Sequence, residues 1–160
     1  MNKKISTLVA CLLMVLPPAV PAEILWTHTK PQLNATHIYI GEINGYGKPS
    51  GFHARFNGQV PENIRILGIT SQPNKAGVYM AQIAIRDDRS GEWKEKLSSM
   101  FPDSMNTMEV VKAILHAYRN REEGHSQPWR GPSGLGFPIE GTQLANGMIN
   151  TAYPVFMRDK

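Results

Sequence analysis

THIYIGEINGYGKPSGFHARF, running from Thr36 to Phe56, decides how the chain reads. It sets His37 and His53 sixteen residues apart. Between them Asn44, Gly45, Gly47, Lys48, Pro49 and Gly51 carry tight-turn chemistry. Imidazole titrates near neutrality, so two such rings brought together across a loop can take and give protons. Thr36 to Ile43 is apolar and β-branched; over so short a run, periodicity leaves helix and strand both open. Phe52 to Phe56 is expected to resume extended structure.

Downstream, Ile64 to Thr70 and Val78 to Ile85 read as strands joined through the turn-forming stretch Gln72 to Gly77. In the second, Tyr79, Ala81, Ile83 and Ile85 alternate with Met80, Gln82 and Ala84, which predicts one buried face and one mixed face. A helix is expected over Thr107 to Arg119. Asn106 with Glu109 makes a capping box, and Met108, Val111, Leu115 and Tyr118 form an apolar stripe. Residues 120–135 read as a polar Gly/Pro-rich loop. Pro138 to Leu144 and Met148 to Phe156 then bracket Ala145-Asn146-Gly147, a hairpin signal. The expected class is α+β, antiparallel sheet with one main helix.

Upstream, residues 1–22 read as a secretory signal peptide. Lys3 and Lys4 form its basic end, Ile5 to Leu16 its apolar run, and Ala19 to Ala22 the small residues before cleavage. Leu8-Val9-Ala10-Cys11 also resembles a lipobox, but the apolar run continues past Cys11, so cleavage after Ala22 is the preferred reading. That cut removes the only cysteine and, with Lys3 and Lys4, takes the formal charge from +4 to +2. The product would be secreted or periplasmic, free of the membrane, and stabilised by burial without disulfides. Residues 23–35 would be a lead-in to a domain spanning 36–160. Mild basicity is compatible with RNA but does not argue for it.

Other chemistries find no footing. Gly131 to Leu135 lacks the second glycine of a nucleophile elbow, and no HExxH or CxxC occurs. His116 falls mid-helix beside the apolar stripe and reads as structural; His28 and His125 fall in polar loops and read as solvated. Trp129 beside Arg130 suits a nucleic-acid platform, yet a strand-anchoring tryptophan is the favoured reading.

The His37/His53 block resembles that of the EndoU endoribonucleases, a family with eukaryotic, coronavirus and bacterial-toxin members. Gly51-Phe52-His53 matches its second histidine, Lys96 falls where its lysine is expected, and Thr151-Ala152-Tyr153 matches its C-terminal Ser/Thr-x-aromatic. The resemblance spans about residues 36–156 and implies an EndoU/RNase A-like arrangement (of BECR type). It further implies metal-independent cutting of single-stranded RNA, such as a tRNA loop, to a 2′,3′-cyclic phosphate, with no cofactor.

Such a cut needs a base for the 2′-OH, an acid for the leaving 5′-oxygen and a cation for the phosphorane. His37 and His53 are candidates for the first two roles, in either order, and Lys96 for the third, with Lys94 close behind. Thr151 and Tyr153 would bind substrate, Tyr153 by stacking, and Ser98 or Ser99 is a candidate base reader. A toxin role would bring a cognate immunity protein; a scavenger role would not. The alternative is an inactive binding module on the same fold. The sequence leaves base preference and oligomeric state open.

Overall fold

A computed structural model of the chain describes residues 25–124 and 127–160. The expected leader, Cys11 and His125 lie outside the described residues.

The chain opens with a short helix, α1 (Ala35–Tyr39), and a two-strand ribbon, β1 (Glu42–Ile43) with β2 (Pro49–Ser50). A sheet of β3 (Ile64–Ser71), β4 (Tyr79–Arg86) and β5 (Trp93–Met100) follows, in the order β3-β4-β5. The main helix α2 (Thr107–Arg119) leads into β6 (Trp129–Pro132), β7 (Pro138–Gln143) and β8 (Ile149–Pro154), ordered β6-β7-β8. Every pairing is antiparallel. The class is therefore α+β, three small antiparallel sheets with one main helix, as the sequence implied.

α2 forms where its ends say it should. The Asn106 side chain accepts from Glu109 N, and Glu109 returns the bond to Asn106 N, satisfying backbone donors at the first turn. Its buried face is centred on Val110, Ile114 and Ala117; Met108, expected on the stripe, is 61% exposed. That face packs on β6-β7-β8 in a core that includes Leu33, Ile38, Trp129, Ile139 and Ile149. A second core lies under β3-β4-β5: Phe52, Ile64, Tyr79, Ala81, Ile83, Ile85 and Met100. The inward alternation of β4 is the one read from its sequence.

Two segments depart from expectation. Residues 52–56 are not a strand. Phe52 sits at φ 55 with its ring wholly buried, so the chain doubles back through the left-handed region instead of extending. The expected loop over residues 120–135 contains β6, in which Trp129 is buried against Tyr118 with ring centroids 5.4 Å apart. Trp129 thus anchors a strand and offers no surface to RNA. Gly131 breaks the strand pattern there because a side chain would strike the Ala117 carbonyl of α2. The lead-in is tied down from Leu25 onward. Leu33 is fully buried and bridges Ile149, and Thr27 N donates to Leu33 O at 3.0 Å. Among the described residues, no helix is long and apolar enough to cross a membrane.

Candidate active site

His37 rides on α1, whose N-cap is Asn34: the Asn34 side chain accepts from His37 N at 3.0 Å and donates to Asn150 on β8 at 3.2 Å. His53 follows the left-handed Phe52. Backbone bonds from Phe52 N to His37 O and from His53 N to Ile38 O, both 2.8 Å, knit the two histidine segments together. Phe101 N donates to His53 O at 2.8 Å from the far side. Gly51, at φ 76, allows this close approach, since any Cβ would meet the His37 carbonyl. The imidazole centroids end 6.3 Å apart.

The rings open onto a cleft of about 440 Å³ between β5 and β8, lined also by Ser50, Gly51, Lys96, Leu97, Ser99, Thr142, Asn150, Thr151 and Tyr153. A hydrogen bond from Ser99 Oγ to the Pro154 carbonyl fastens its two walls. His53 Nδ1 lies 2.9 Å from the Ser99 carbonyl, an acceptor only, so Nδ1 carries the proton and Nε2 keeps its lone pair. Burial, with the Lys96 charge adding to it, holds His53 well below the usual imidazole range. It is neutral at pH 7, as a base must be. His37 Nδ1 instead meets the Glu42 carboxylate at 3.0 Å, and that bond lowers Glu42. The carboxylate orients the ring.

Lys96 Nζ donates to Gly51 O at 2.7 Å and to Ser98 Oγ at 3.3 Å. Burial brings its ammonium down to about 8. Tyr153 lies beside His53, centroids 5.4 Å apart, and its hydroxyl donates to Glu140 at 3.1 Å. Burial first, then that carboxylate, raises the phenol. Thr151 lines the cleft, although its hydroxyl oxygen is buried and finds no partner among the described residues.

His37, His53, Lys96, Thr151 and Tyr153 therefore share one cleft. Two further candidates do not. Lys94 shares the Lys96 face of β5, but its ammonium is held by Asp87 and by Gly47 O, each at 3.1 Å, where it pulls Asp87 down to about 2. It braces the histidine loop. Ser98 is 1% exposed and spends its hydroxyl donating to Phe52 O at 2.7 Å, so it supports the site from below. His116 is exposed on α2, and His28 stands at a separate surface dent. Sequence reading passed over Glu42, Glu140 and Asn150, and it offered Ser99, which lines the cleft, only as an alternative to Ser98. Glu42 left a signal, an acid in an otherwise apolar run five residues after His37. The others are defined only by folding. Among the described residues, no group of three or more His, Cys, Asp or Glu gathers that could hold a metal ion.

An α+β fold with two histidines and a lysine converging on a cleft is the kind of site that breaks phosphodiesters by proton transfer and charge stabilisation. The family described as bacterial EndoU nuclease matches residues 31–155, most of the chain, and the chain belongs to it. No curated protein and no solved structure matches.

Proposed function

We propose that this nuclease is an exported, metal-independent endoribonuclease that cuts single-stranded RNA by transesterification. The observation that carries the reading is the pair of imidazoles 6.3 Å apart beside Lys96, each ring held differently. His53, neutral and with Nε2 unprotonated, would take the 2′-OH proton. His37, backed by Glu42, would protonate the departing 5′-oxygen. The 2′-oxygen then bonds phosphorus as the 5′-oxygen leaves, giving a 2′,3′-cyclic phosphate and a 5′-hydroxyl. The ammonium of Lys96 would steady charge on the phosphorane, worth about two to three powers of ten in rate by analogy with other preorganised donors. Tyr153 would carry a base on its free face.

Export rests on the leader-like residues 1–22, and a toxin role, with an immunity protein as partner, on the family alone. The test is the purified chain incubated with labelled single-stranded RNA, with and without EDTA, beside His37→Ala and His53→Ala. Wild type should cut under both conditions and each variant should be nearly inert. Equal survival of RNA with all three proteins sinks the ribonuclease reading. Loss of cutting with EDTA sinks its metal independence, and RNA that is bound but never cut favours the binding module.

A further inference from the structure

The three strands of the C-terminal sheet place Arg130, Glu140 and Tyr153 directly opposite one another: Arg130 pairs in register with Glu140, and Glu140 with Tyr153. Their side chains bond in the same order. Arg130 Nη1 donates to Glu140 Oε1 at 2.7 Å, and Tyr153 Oη donates to Glu140 Oε2 at 3.1 Å. Glu140 thus uses one oxygen on each neighbour. Both carboxylate oxygens are engaged as acceptors, one by the guanidinium and one by the phenol. The ladder runs to the cleft, where the far end of the row is the Tyr153 ring against His53.

A tyrosine ring has two torsions, and a fixed hydroxyl removes the freedom of both. We propose that Glu140, held by Arg130, is a positioning residue that fixes the plane of the Tyr153 ring for a nucleobase of the RNA substrate. This rests on the ribonuclease reading and on Tyr153 as its base platform. Glu140 does not line the cleft, so it acts only through the ring. Immobilising a side chain on binding costs enough to weaken affinity about two- to tenfold, and a ring already held avoids that loss.

The experiment pairs Glu140→Ala, Glu140→Gln, Tyr153→Phe, Tyr153→Ala and the double variant Glu140→Ala/Tyr153→Phe. Readouts are kcat and KM on a short single-stranded RNA, and binding of the same oligonucleotide carrying 2′-deoxyribose at the cut, which lacks the attacking hydroxyl. Glu140→Ala should raise KM and weaken binding about three- to tenfold with a smaller change in kcat, and Glu140→Gln, whose amide oxygen still accepts, should restore most of it. Tyr153→Phe should match Glu140→Ala, and the double variant should be no worse than either alone. The inference falls if Glu140→Ala binds like wild type while Tyr153→Ala does not, or if the two single effects multiply. Binding that Tyr153→Ala leaves intact overturns both the platform and the anchor. An RNA that binds with the expected pattern yet is never cut refutes the ribonuclease reading and supports the anchor.

Discussion

Gly51→Ala is the sharpest perturbation of the site that touches no ionisable group. Gly51 occupies φ 76, and a methyl there would collide with the backbone carbonyl of His37. Holding alanine in the left-handed region costs about 1–2 kcal/mol, and forcing a methyl into filled space adds about 1–3 kcal/mol. A total near 3 kcal/mol is a large share of the roughly 5–15 kcal/mol available to a domain, and lowers Tm by about 10 °C. To clear the methyl, the His37 carbonyl must recede by roughly 1 Å, stretching its 2.8 Å bond from Phe52 N and parting the imidazoles. Misplacement on that scale costs about a hundredfold in rate. Urea melts by circular dichroism and kcat on an RNA substrate at a temperature where both proteins remain folded separate the two effects. A Gly51→Ala protein as stable as wild type, within about 0.5 kcal/mol, refutes the packing argument. A folded variant with full kcat refutes the claim that this junction sets the histidine geometry.

Lys96→Ala should cost about two to three powers of ten in kcat, whereas Lys94→Ala should cost less than tenfold; steady-state rates decide which lysine faces the phosphate. Activity should rise as His53 deprotonates, well below pH 6.5, and Lys96 losing its proton near pH 8 should add to the alkaline fall; Lys96→Arg should remove that added loss from the pH–rate profile. Because folding lowers His53, the unfolded chain binds a proton below pH 6.5 that the native state refuses, so stability is lost as pH falls there. The slope is up to about 1.4 kcal/mol per pH unit, and urea midpoints at pH 7.5 and pH 5 should converge between wild type and His53→Gln as the pH falls. Glu42→Ala should lower kcat by about ten- to a hundredfold while melting close to wild type, since it frees the His37 ring without emptying a core.

The parts of this fold that announce themselves in sequence are those whose local rules agree with their surroundings. α2 has its capping box at Asn106 and Glu109, the β7–β8 hairpin its Asn146-Gly147, and β4 its alternating inward residues Tyr79, Ala81, Ile83 and Ile85. β5 gives no strand signal in sequence because three residues of its inward face, Lys94, Lys96 and Ser98, are polar. A strand that builds a site buries charge where a core strand would bury aliphatic side chains. β6 hid because Gly131 and Pro132 read as loop, although Gly131 answers to the nearness of α2. The candidate site was legible as a pair of histidines, a lysine and a C-terminal Thr-x-Tyr through their resemblance to the EndoU motifs, since the residue types alone leave each histidine open to a structural role. Its supports were not. Ser99 contributes only a backbone carbonyl to His53, Glu140 reaches Tyr153 only through strand register, and the turn at Phe52 uses a left-handed residue that no local pattern demands.

The central claim is that two imidazoles move the protons while the RNA supplies its own nucleophile. Mass spectrometry of the new ends reports this directly. A 2′,3′-cyclic phosphate facing a 5′-hydroxyl, with no cutting when the scissile nucleotide is 2′-deoxy, is the predicted result; a 5′-phosphate end, or undiminished cleavage of the deoxy substrate, would contradict it.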